Sequence, residues 1–159
     1  MTKKLVAIVA IAAAAVVLAT TALVQAYQPA ASRRYFTPRT PADAAQPPFS
    51  GAVLAGNTLY LSGDIGTIGT GADRRVPDTA EAEAKVVLDN VQATLKASGM
   101  TMDDLVSVQI FCSDVKHYDA FNSVYRTYFT KEFPARAFIG SGTLLFNARF
   151  EVQGIAVKR

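Results

Sequence analysis

The sequence predicts an α+β domain in which two one-sided helices cover one face of a mixed sheet. Three observations predict it. Short aliphatic and aromatic runs suited to strands recur at 52–55, 58–61, 105–112, 137–140 and 150–157. Two intervening stretches carry apolar residues at helical spacing along a single face. The last run puts Phe150, Val152, Gly154 and Ala156 on one side and Glu151, Gln153, Ile155 and Val157 on the other. Both faces of the sheet therefore carry apolar residues, and self-association is the simplest cover for the face without helices. A chain of 159 residues has room for one such domain.

The chain opens with Met1-Thr2-Lys3-Lys4, an apolar run over 5–24, and Val24-Gln25-Ala26. This is the order of a positive n-region, an apolar h-region and a small-residue cleavage site, so 1–26 reads as a signal peptide cleaved after Ala26. A periplasmic or secreted protein, with no stable membrane span after cleavage, is the expectation. The competing reading is an uncleaved membrane anchor through residues 5–24, because that run approaches the ~20 apolar residues that cross a bilayer. Its weak end, Ala19-Thr20-Thr21-Ala22, and the lack of a charged stop-transfer flank favour cleavage. Without residues 1–26 the basic residues fall from 16 to 14 against 13 acidic ones, and the net charge falls from +3 to +1.

Residues 27–48 hold Pro29, Pro38, Pro41, Pro47 and Pro48 among many alanines, which suits an extended leader; the folded domain, 35–159, begins near Tyr35. Residues 52–55 and 58–61 flank Gly56-Asn57 as the two strands of a hairpin, and Ser62-Gly63-Asp64 ends the second strand. Residues 67–77, with Gly69, Gly71 and Arg74-Arg75, read as a loop. A helix follows, capped by Asp78 or Thr79, with Glu81 and Glu83 in its first turn and Ala84, Val87, Leu88, Val91 and Leu95 as its stripe, until Gly99 closes it. Residues 105–112 form a strand, and 118–129 form a second helix through Phe121, Val124, Tyr125 and Tyr128. Strands at 137–140 and 150–157 finish the chain.

Few residues offer chemistry. His117 is the only histidine and Cys112 the only cysteine, which removes a metal site, nucleophile triads and an intrachain disulfide. His117 reads as a surface residue and Cys112 as a buried, inert thiol. Gly66, Gly69 and Gly71 lack the strand, turn and immediate helix of a phosphate loop. No basic run interleaved with aromatics points to nucleic acid. What remains is Phe133-Pro134-Ala135-Arg136-Ala137-Phe138, an arginine entering an apolar strand. Either Arg136 pairs with a carboxylate such as Glu151, or its planar fork clamps the carboxylate of a ligand.

Several segments together resemble the RidA family: Pro48-Phe49-Ser50, Leu61-Ser62-Gly63, Leu88-Asp89-Asn90-Val91, Tyr125 with Tyr128-Phe129, Phe133-Pro134-Ala135-Arg136 and Ile155-Ala156-Val157. Their order and spacing agree from about Tyr35 to Arg159. The resemblance implies a chorismate-mutase-like fold with a six-stranded mixed sheet, a homotrimer with pockets between subunits, and no cofactor. It implies hydrolysis of small enamine or imine acids to 2-keto acids and ammonia. It assigns Arg136 to the substrate carboxylate and makes Phe49, Gly63 and Phe138 the surroundings of the substrate. Phe49 stands where many members have tyrosine, and Phe138 where cysteine is common. Gln153 falls where active members carry a glutamate, so it can orient a water but cannot take its proton. Glu151 lies two residues away on the same strand face, about 7 Å along.

Two functions follow. One is an exported hydrolase of 2-imino acids, in which Arg136 holds the carboxylate and Gln153, with backbone groups near Gly63, orients water. The other is a non-catalytic trimeric module that holds a small carboxylate or protects other proteins. Turnover of freshly generated 2-aminoacrylate separates the two.

Overall fold

A computed structural model describes residues 32–37 and 47–158. The segment read as an export signal, 1–26, lies outside the described residues, as does most of the leader. Six strands form one sheet: β1 (Arg33–Phe36), β2 (Ala52–Ala55), β3 (Thr58–Ile65), β4 (Leu105–Cys112), β5 (Ala135–Gly140) and β6 (Phe150–Val157). Their spatial order is β1-β2-β3-β6-β4-β5. Only β4 and β5 are parallel; the other neighbours are antiparallel. Helices α1 (Ala80–Ser98) and α2 (Tyr118–Tyr125) pack on one face. The mixed α+β architecture expected from the pattern is the one observed.

Local chemistry accounts for the element ends. Thr79 caps α1 by accepting the Ala82 amide at 3.1 Å, and Gly99 ends it at φ 79°, a conformation that costs a residue with a Cβ about 1 kcal/mol or more. The α1 stripe of Ala84, Val87, Leu88, Val91 and Leu95 is buried against Leu59 and Leu61 of β3 and Phe150, Val152 and Ala156 of β6. Phe121 of α2 is fully buried and meets Phe150 at 4.8 Å and Phe138 at 5.8 Å between ring centroids. The opposite face of the sheet has no helix over it, and Tyr60 is about half exposed there.

The structure departs from the sequence reading in three places. The pattern predicts five strands, and the sixth is β1, which pairs with β2 from within the stretch read as a leader. Strand β3 does not end at Ser62–Asp64: a register shift between Leu61 and Asp64 lets it continue along β6 to Ile65. The second helix keeps α geometry only to Tyr125 and tightens into a 3₁₀ turn over Arg126–Tyr128.

Candidate active site

Strand β5 is an edge strand, and its register against β4 decides where Arg136 points. Arg136 lies beside Val108, and Phe138 beside Ile110, both buried on the helix side. The half-buried Arg136 side chain therefore turns toward α2. Its guanidinium carbon stands 4.7 Å from the Tyr125 ring centre, 5.9 Å from that of Tyr118 and 5.9 Å from that of Phe138. Such contacts favour a cation but neutralise none of its charge. Among the described residues no carboxylate forms an ion pair with it. A cleft of about 180 Å³ opens in front of it, lined by Asn122, Tyr125, Arg126, Phe133, Pro134 and Arg136.

The alternative pairing of Arg136 with Glu151 is overturned by the same register. Glu151 alternates with the buried Phe150 and Val152 and so lies on the face away from the helices. There it packs against Gly63, where an added Cβ would collide with its carboxylate oxygen. Gly63 is thus the residue that admits the Glu151 side chain. Gln153 shares this face, and its Nε2 donates to Gln109 Oε1 at 2.5 Å. The Gln153 carbonyl oxygen can accept a hydrogen bond from a water.

The residues singled out from sequence fall into three patches of the protomer. Arg136 and Phe138 are together on β5. Phe49 and Gly63 line a second cleft of about 200 Å³ with Thr37, Ser62 and Asp64. Gln153 lies in a shallow depression with Tyr60, Ser107 and Gln109. Strands β4 and β6 separate β5 from β3, so three strand spacings put the backbones of Arg136 and Gly63 at least about 14 Å apart. One protomer does not bring Arg136 and Gly63 to a single small ligand.

Electrostatics sharpen the cleft before Arg136. Burial pushes the Tyr125 phenol up to about 12 against the opposing pull of Arg136, so it stays a neutral hydroxyl at physiological pH. That hydroxyl is buried and has no hydrogen-bond partner among the described residues. Burial likewise raises the Asp64 carboxyl, opposed by the hydrogen bond from Asn90. Cys112 is fully buried; its thiol is pushed up by burial and donates to the Asp114 carbonyl at 3.0 Å, an inert setting. His117 is half-buried, edge-on to Phe150 at 6.1 Å, and not a plain surface residue. The sequence pattern does not single out Asn122, Tyr125 and Arg126 as cleft residues, nor Tyr118 as a ring beside the Arg136 guanidinium. The spacing of Tyr118, Asn122 and Arg126, four residues apart, is the signal that marks one side of α2.

Residues 39–158 match the family model described as Endoribonuclease L-PSP. The chain is 40% identical over 110 residues to a 2-iminobutanoate/2-iminopropanoate deaminase of Dermatophagoides farinae, covering 69% of this chain and 85% of that protein. It is 37% identical over 117 residues to the deaminase of the same name from Capra hircus, covering 74% and 85%. The solved structure of the YjgF gene product of E. coli superposes with a TM-score of 0.64 at 31% identity, over 70% of this chain and 89% of that one.

Proposed function

Because the chain belongs to the Endoribonuclease L-PSP family, the family of the RidA proteins, we propose that it hydrolyses small 2-imino acids, and their enamine tautomers, to 2-keto acids and ammonia. The observation that carries this is the Arg136 guanidinium, held among Tyr118, Tyr125 and Phe138 at the mouth of a cleft, with no carboxylate of the described residues ion-paired to it. A planar fork in that state recognises a carboxylate through two parallel hydrogen bonds. The non-catalytic alternative is not favoured, since the relatives at 40% and 37% identity are named as deaminases.

In the proposed reaction Arg136 holds the carboxylate and sets the imine carbon beside a water. The water oxygen bonds to that carbon and a water proton goes to nitrogen, forming a 2-amino-2-hydroxy acid. The hydroxyl proton then moves to nitrogen, the C–N bond breaks, and ammonia leaves a 2-keto acid. Because Gln153 and Phe49 lie in other patches of the protomer than Arg136, they act from a neighbouring subunit: the carbonyl of that Gln153 accepts a hydrogen bond from the water and orients it, and Phe49 and Phe138 wall the site. Positioning contributes most here, since imines already hydrolyse readily in water.

The separation of Arg136 from Gly63 within a protomer supports a site assembled between subunits of a homotrimer. The export reading is also a proposal, supported by the 38 residues that precede the family match and by the pattern of 1–26. Among the described residues no helix is long and apolar enough to cross a membrane. Fractionation is expected to find a species lacking 1–26 outside the cytoplasm, with about three times the protomer mass by light scattering. Full-length protein released only by detergent would instead establish the anchor.

The activity is tested by ammonia release from 2-aminoacrylate generated in place. Wild-type protein is expected to accelerate release above the spontaneous rate; the spontaneous rate alone would refute the deaminase reading. Gln153→Glu, which restores a proton acceptor, is expected to raise the enzymatic rate by up to about 10²-fold.

A further inference from the structure

We infer that the site prefers 2-imino acids with a second carboxylate on the side chain, and that Arg126 is the residue that selects them; this rests on the deaminase reading above. The cleft before Arg136 is lined by a second guanidinium. Arg126 stands 6.0 Å from the centre of the Phe133 ring, and Phe133 stacks on Tyr125 at 6.1 Å and 22°. Arg136 lies 4.7 Å from the Tyr125 ring. The two cations thus sit over neighbouring members of one stacked aromatic pair, on the walls of one cleft. None of the ion pairs among the described residues involves either arginine.

Chemistry narrows the ligand. A monocarboxylate satisfies Arg136 and leaves Arg126 facing it as a like charge, whereas a dianion bridges the two and removes their repulsion. Asn122, one helical turn before Arg126, adds an amide to the same wall and no negative charge. Arg136 is half-buried and Arg126 exposed. This gradient places the carboxylate next to the imine at the inner arginine and the side-chain carboxylate at the outer, solvent-screened one. The hydrolysis is the same: water adds across C=N, ammonia leaves, and a 2-keto dicarboxylate is the product.

The test compares 2-iminoglutarate, released by a glutamate oxidase, with 2-iminopropanoate, released by an alanine-oxidising enzyme. Hydrolysis of both is followed by loss of semicarbazide-trappable imine. Wild-type protein is expected to show the higher kcat/KM on 2-iminoglutarate. Arg126→Gln is expected to lower the ratio of the two kcat/KM values at least fivefold, and Arg126→Lys to retain most of it, because a screened site needs charge more than a planar fork. Turnover of 2-iminopropanoate with no preference for the dianion, or a ratio that Arg126→Gln leaves in place, overturns the inference while the deaminase reading stands. If neither imine is hydrolysed the deaminase reading fails, and calorimetric titration with 2-oxoglutarate and pyruvate then decides the two-arginine site alone. Tighter binding of 2-oxoglutarate, weakened by Arg126→Gln, upholds it; equal binding ends it.

Discussion

Arg136→Ala is expected to lower kcat/KM on 2-iminopropanoate by about 10²-fold or more, while the protein still folds. The size follows from the two charge-assisted hydrogen bonds of a bidentate carboxylate, each worth about 1.5–3 kcal/mol. The survival of the fold follows from what Arg136 touches: three aromatic rings and, among the described residues, no ion-paired carboxylate. Losing those contacts costs about 1–2 kcal/mol of stability. Arg136→Lys is expected to recover little, since an ammonium cannot present the planar fork. Steady-state kinetics and thermal melting on both variants check this. A variant that melts far lower, yet turns over normally in its folded fraction, would sink the assignment of Arg136 to the substrate carboxylate.

The second large effect lies on the opposite axis, stability without chemistry. Glu83 is fully buried near the start of α1. Its Oε1 accepts the backbone amides of Arg149 at 2.6 Å and Phe150 at 3.0 Å, and its Oε2 pairs with the Arg149 guanidinium at 2.7 Å. Arg149 also donates to the carbonyls of Pro77 and Asp78 at 3.0 and 2.9 Å. One carboxylate therefore ties the first turn of α1 to the start of β6. Glu83→Ala leaves two amides and a partly buried cation unpaired, a loss of about 3–5 kcal/mol. For a domain of this size the melting temperature is expected to fall by roughly 10 °C or more. Glu83→Gln keeps an acceptor and is expected to fall between the two. A melting curve of Glu83→Ala superimposable on wild type would refute the role.

These residues show why some of the molecule was legible in the sequence and some was not. Period and punctuation are local, so the hairpin at Gly56-Asn57, the Thr79 cap and the Gly99 stop of α1, and the span of β4 and β6 could be read directly. Strand β1 could not, because Arg33-Arg34-Tyr35-Phe36 has no alternation of its own and becomes a strand only when β2 offers its edge. Glu83 resembled any acidic residue in a first helical turn, like its neighbour Glu81, which is exposed. Its burial depends on β6, 66 and 67 residues away in sequence.

By itself, then, the sequence determined the α+β class, the one-sided helices, the motif around Arg136 and the substitution of Gln153 for a proton acceptor. Only the tertiary structure decided which face of the sheet each of these residues occupies. Arg136 and Glu151 were equally good partners by residue type, and the register of β5, β4 and β6 sent them to opposite faces. It likewise brought Arg126, from a helix, to the cleft that Arg136 enters from a strand. The physical reason is that side-chain alternation is set within a strand, whereas register is set between strands, by packing and hydrogen bonds that join residues far apart in the chain.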